Sequence, residues 1–244
     1  MKKKLIIQIL LVVLTITLIG LQAVGEYSFT FIVRAIGFPL LTMLYCIKTK
    51  DRKSYFFYFL LVFSVSEFFG TFIYMAYNSA LVNDLMYYGR NSLYIAAYVF
   101  LLLKILKTIN FKREYKRLSL PGLILLILST YIVIYLFNIT MNSEDFEVVK
   151  WYDYLLVLIY NAVIMVLLTT ALLSYLCEDS KKRIILFFGV LFIVFSEIIQ
   201  IASFYLVSQK ILDIAHTVLI ILGFSFLYFQ FNLNYSEKEM PQNG

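Results

Sequence analysis

The chain has 244 residues, 62% of them hydrophobic and 15% charged, with a formal net charge of +6. Apolar runs of roughly 20 residues recur from end to end, which excludes a soluble globular domain and places the chain among polytopic membrane proteins. The positive balance does not indicate a nucleic-acid partner. The basic residues lie in short clusters between apolar runs, where the bias of cytoplasmic loops toward lysine and arginine accounts for them.

In chain order, Lys2-Lys3-Lys4 opens onto an apolar run from Leu5 to about Leu21. A secretory signal also starts basic and turns apolar, but this run is long for one and Leu21-Gln22-Ala23-Val24-Gly25 is a poor cleavage site, so it reads as a first membrane helix. A second helix, about Ser28 to Ile47, contains Arg34 and Pro39 and ends in a basic stretch, Lys48 to Lys53. The third, about Tyr55 to Tyr77, carries Glu67 in the middle of an apolar run, and a more polar loop with Asn83, Asp84 and Arg90 follows. Helix four is expected from Asn91 to Leu106, a basic loop over 107–117, and helix five from Leu118 to Phe137. An acidic connection, Asn138 to Tyr152, contains Trp151, whose amphipathic ring suits the membrane interface. Helices six (Asp153 to Leu176), seven (Ile184 to Val207, with Glu197) and eight (Ile211 to Phe231) complete the chain. The expectation is an all-α bundle of eight transmembrane helices, a single membrane domain over 1–234 with a short polar cytoplasmic tail, 235–244.

Alternate connections differ sharply in charge. The amino end, the stretches at 48–53, 107–117 and 181–183, and the tail hold sixteen of the 21 lysines and arginines, against Arg90, Lys150 and Lys210 on the other side. That asymmetry puts both termini in the cytoplasm. Helices three and seven then both run outward, and at 1.5 Å per residue each glutamate lies roughly 18–20 Å in, just past the midplane. The two segments also match at an offset of 130: Arg52-Lys53 on Lys182-Arg183, Phe57 on Phe187, Ser66-Glu67 on Ser196-Glu197. Four helices per half would make a parallel 4+4 repeat.

A lone acid in such a run costs roughly 2.5–3.5 kcal/mol on insertion scales, so Glu67 and Glu197 are the candidate site. Facing each other in a dry cavity, two carboxyls would divide a proton between them, the arrangement acid–base chemistry uses. Arg34, near the outer end of its helix, can reach inward to a glutamate or outward to lipid phosphates. Asn91, Asn161 and Gln200 are polar groups that need partners in the bundle, and Gln200 follows Glu197 by three residues, on the same face. His216 shares a helix face with Asp213 near the expected outer surface; as the only histidine it builds no multi-histidine metal site, and no metal or cofactor is expected. Cys46 and Cys177 read as two small apolar residues.

Three stretches resemble the YhhN-like family, the lysoplasmalogenases: Phe38-Pro39-Leu40-Leu41, Phe63-Ser64-Val65-Ser66-Glu67, and the run from Gly189 to Ser196-Glu197. The resemblance implies eight spans, two catalytic acids at Glu67 and Glu197, and hydrolysis of the vinyl ether of a lysoplasmalogen or related lysolipid. The chain departs from the family pattern in having glutamate for both aspartates, Phe38 for a lysine, Ala96-Ala97 where a histidine is usual and Thr170 where an arginine is. The expected reading is a divergent membrane hydrolase with a lipid substrate, placed in a bacterial cytoplasmic membrane. The alternative is a carrier or sensor whose buried acids bind a proton or a cation. The oligomeric state is left open.

Overall fold

The structure, a computed structural model, describes residues 2–49, 52–75, 80–109, 111–141, 151–177, 180–206 and 209–239. Those residues form eight α-helices: α1 Lys2–Val24, α2 Tyr27–Lys48, α3 Tyr55–Met75, α4 Ala80–Leu106, α5 Phe111–Met141, α6 Trp151–Cys177, α7 Lys181–Tyr205 and α8 Lys210–Glu239. Seven are long and apolar enough to cross a bilayer. The eighth, α3, has a shorter described apolar stretch, Tyr55–Thr71. The chain is therefore an all-helical multi-pass membrane protein, the architecture that satisfies backbone polar groups without help from lipid.

Several boundaries differ from the expected ones, for a common reason. An apolar run reports what the bilayer covers, whereas a helix continues as long as its backbone bonds do. Helix four starts at Ala80 rather than Asn91, so Arg90 lies inside α4 and not in a loop. The expected basic loop over 107–117 is helical from Phe111, because Lys112, Arg113, Glu114, Lys116 and Arg117 are good helix formers outside the apolar run. Asn138 to Met141 belong to α5, Trp151 and Tyr152 open α6, and the first half of the expected tail is the end of α8. The acidic stretch 142–150, the ends of helices three and seven at Tyr77 and Val207, and the last residues, 240–244, lie outside the described residues. Pro39 and Pro121 sit inside α2 and α5, as is tolerated in membrane helices.

The helices form two compact units, Met1–Lys104 with Glu144–Val163, and Ile105–Ser143 with Ile164–Gly244. In the first, α1 packs on α2 and α2 on α3. Its core is aromatic: Phe59 and Phe63 of α3 and Tyr98 of α4 are fully buried, with Phe63 5.2 Å from the Tyr94 ring and 6.2 Å from that of Tyr98. Tyr98 also meets Tyr160 of α6, at 6.3 Å. Lys104 places its ammonium 4.1 Å from the centroid of the Phe56 ring.

The second unit is built on α7 and α8, an antiparallel pair. They cross at Gly189 and Gly223, where a β-carbon on Gly223 would stand 2.6 Å from Ile193 and 3.0 Å from the Gly189 carbonyl. Small residues at such a crossing let two backbones touch. Ser129 of α5 bonds Thr169 of α6 at 2.8 Å. Arg183, in the first turn of α7, donates to the carbonyl of Ser174 in the last turn of α6 (2.7 Å) and to that of Thr108 in the turn after α4 (3.0 Å).

Candidate functional site

Glu67 is 1% exposed, at the meeting of α2, α3 and α4 in the first unit. Arg34 of α2, 7% exposed, donates to it from Nε to Oε2 at 3.0 Å and from Nη2 to Oε1 at 2.5 Å, the side-on fork that matches guanidinium to carboxylate. Of the two directions open to Arg34, inward and outward, the inward one is taken. Tyr94 of α4 donates its hydroxyl to the same Oε1 at 2.9 Å. Arg90, one turn earlier on α4, donates from Nη2 to the Tyr94 hydroxyl at 3.1 Å. The order Arg90, Tyr94, Glu67, Arg34 is thus a continuous chain of charge-assisted bonds across three helices.

The surroundings fix this chain in place. Ser66, fully buried, donates to the Arg90 carbonyl at 3.2 Å and ties α3 to α4. Gly70 gives the Arg90 guanidinium room to lie against α3, since a β-carbon there would sit 3.2 Å from Cζ. Between α2 and α3, Thr71 donates to the Phe31 carbonyl at 3.1 Å, and Thr42 and Ser64 bond at 2.8 Å. Phe31 and Tyr94 turn ring faces toward Arg90, at 5.9 and 5.4 Å.

In the second unit Glu197 of α7 is 4% exposed. Its neighbour Ser196, fully buried, donates to the His216 carbonyl of α8 at 2.9 Å and meets His216 Nδ1 at 2.8 Å. Nδ1 also lies 3.1 Å from the Ser196 carbonyl, which can only accept, so Nδ1 is the protonated ring nitrogen. His216 is buried, packed against Ser196 of α7, and Asp213 is bonded separately, accepting from Ser203 at 2.6 Å.

The remaining candidates fall in different settings. Asn91 donates to the Tyr87 carbonyl of its own helix at 2.9 Å. Asn161 is 1% exposed, and among the described residues neither side-chain amide atom has a hydrogen-bond partner. Gln200 is half-buried, one turn after Glu197. Among the described residues no group of three or more histidine, cysteine or carboxylate side chains is placed to hold a metal. The sequence reading missed Tyr94 and Arg90. Their spacing of four, at the start of an apolar run, was the available signal, hidden by assigning Arg90 to a loop.

Comparison with protein-family models, curated proteins and solved structures found no match.

Proposed function

We propose that the chain is a non-catalytic carrier or sensor that crosses the bilayer eight times with both termini in the cytoplasm, and that the buried Arg34–Glu67 pair is the element that changes state. The observation that carries this reading is the occupancy of Glu67. Both of its oxygens are held by Arg34, and one also by Tyr94. A carboxylate matched in this way has no proton to give and is a poor general acid. Buried pairs add little to stability, while opening one exposes two charges together, which suits a two-state element. In this reading Arg34 occupies the place of the bound cation. Purified protein in phospholipid vesicles tests it: aldehyde release from a 1-alkenyl lysophospholipid, lost in Glu197→Gln, overturns the reading, and no release at micromolar protein supports it.

A second reading is hydrolysis of an ether lysolipid, as the resemblance implies, in a bacterial cytoplasmic membrane. One observation favours it: Glu197, a buried acid, adjoins Ser196, whose hydroxyl and carbonyl hold His216 in one tautomer. Glu197 would protonate the vinyl ether carbon. Its carboxylate would then take a proton from the water that adds at the oxocarbenium carbon, and the resulting hemiacetal would collapse to an aldehyde and a glycerophospho-alcohol. Glu67 would keep an electrostatic role in that scheme.

A further inference from the structure

The cluster around Glu67 contains two guanidinium groups and one carboxylate. Arg34 takes the carboxylate directly, and Arg90 reaches it only through the Tyr94 hydroxyl. Among the described residues no carboxylate lies within ion-pair distance of Arg90, and its buried Nε has no hydrogen-bond partner. The charge is nevertheless held in a fixed place. Ser66 pins the Arg90 backbone, Gly70 admits the guanidinium against α3, and Tyr94 holds one terminal nitrogen. The rings of Phe31 and Tyr94 stabilise a cation without neutralising it. An unmatched, immobilised guanidinium in a poorly solvated setting is the arrangement that recognises oxyanions, because its donors are already desolvated and aimed.

We propose that Arg90 is the recognition residue of an anion site in the first unit, taking a phosphate-type oxyanion, with Tyr94 and Gly70 as the residues that position it. Arg90 as a residue keeps partial exposure, and exposed apolar residues lie on the two helices packed beside it, Phe69 of α3 next to Gly70 and Ile36 of α2 two residues after Arg34. Hydrocarbon can therefore run beside the charge, which admits a phosphate carried on an acyl or alkyl chain as well as the free ion. The site stands whether or not the chain is catalytic.

Full-length protein in dodecyl maltoside micelles, titrated calorimetrically with dodecyl phosphate, tests the proposal. The expected result is saturable binding whose Kd rises at least tenfold in Arg90→Gln. Arg90→Lys, which keeps the charge and loses the planar fork, should weaken binding less. Gly70→Ala, which displaces the guanidinium without changing any charge, should weaken it several-fold. Inorganic phosphate that competes with the probe supports a site open to the free ion; failure to compete, with the loss in Arg90→Gln retained, supports a site for phosphate borne on a chain. Equal Kd in the parent and in Arg90→Gln of unchanged elution and melting overturns the proposal, as does equally tight binding of dodecyltrimethylammonium. Should Arg90→Gln fail to fold, unchanged affinity in both Arg90→Lys and Gly70→Ala overturns it.

Discussion

Arg34 of α2 and Glu67 of α3 share two hydrogen bonds across one guanidinium edge and both carboxylate oxygens. The pair joins helices that are adjacent in sequence, and it occupies both carboxylate oxygens of Glu67. Removing one member leaves a buried charge without its partner. Glu67→Gln and Arg34→Gln should therefore each destabilise the protein by about 3–5 kcal/mol, and the double substitution by clearly less than the sum. Unfolding in mixed micelles of increasing denaturing detergent measures this. Single-substitution costs below about 1 kcal/mol would show that the pair does not hold α2 to α3.

The crossing of α7 and α8 makes a ranking rather than a single value. Gly223→Ala meets Ile193 and backbone atoms at 2.6–3.1 Å, whereas Gly189→Ala meets mainly the end of the Leu227 side chain, at 2.9 and 3.0 Å. A side-chain end can rotate away and a backbone cannot. Gly223→Ala should cost about 1–3 kcal/mol and Gly189→Ala less, in the same unfolding measurement. The reverse order would mean that α8 shifts more readily than α7.

Ser66 and Ser196 do the same work in the two units: each precedes the buried glutamate and donates to a carbonyl of the next helix, that of Arg90 or of His216. Ser196 also holds the His216 ring. Ser196→Ala should thus cost about 1–3 kcal/mol, and Ser66→Ala only about 0.5–1.5 kcal/mol, because fewer buried polar groups lose a partner. Calorimetric melting of the two variants side by side checks the ranking, and equal losses would remove the distinction.

The eight-span topology is tested by labelling. In protein with Cys46 and Cys177 replaced, Asp84→Cys should react with a membrane-impermeant maleimide in intact cells, and Lys181→Cys only after permeabilisation. The opposite pattern would invert the proposed orientation, and labelling of both in intact cells would break the eight-span count.

The number and order of the helices were legible because membrane helices need long apolar runs, and this chain has few interruptions. Helix ends were less legible. In α4, the residues from Ala80 to Gly89 include Asn83 and Asp84 and read as a loop, yet the backbone continues helically through them. That misplacement also concealed part of the site, since Arg90 bonds Tyr94, and through it reaches Glu67, only with both on one helix face. Arg34 could be read two ways, because its side chain is long enough for either direction and only packing selects one. The spacing of three puts His216 and Asp213 on one helix face, but the close α7–α8 contact gives each its own serine. A serine precedes each glutamate in the two stretches that match at an offset of 130, and only packing decides which carbonyl each serine finds.

Arg183 belongs to a basic cluster that would face the cytoplasm in the proposed topology, and it also donates to the carbonyls of Ser174 and Thr108. On the proposed orientation the same guanidinium would both help set topology and tie the end of α6 to the turn after α4. A redesign that reverses the chain in the membrane by relocating positive charge cannot treat Arg183 as interchangeable with Lys181 and Lys182. It must leave that arginine in place or supply the two carbonyls with other donors.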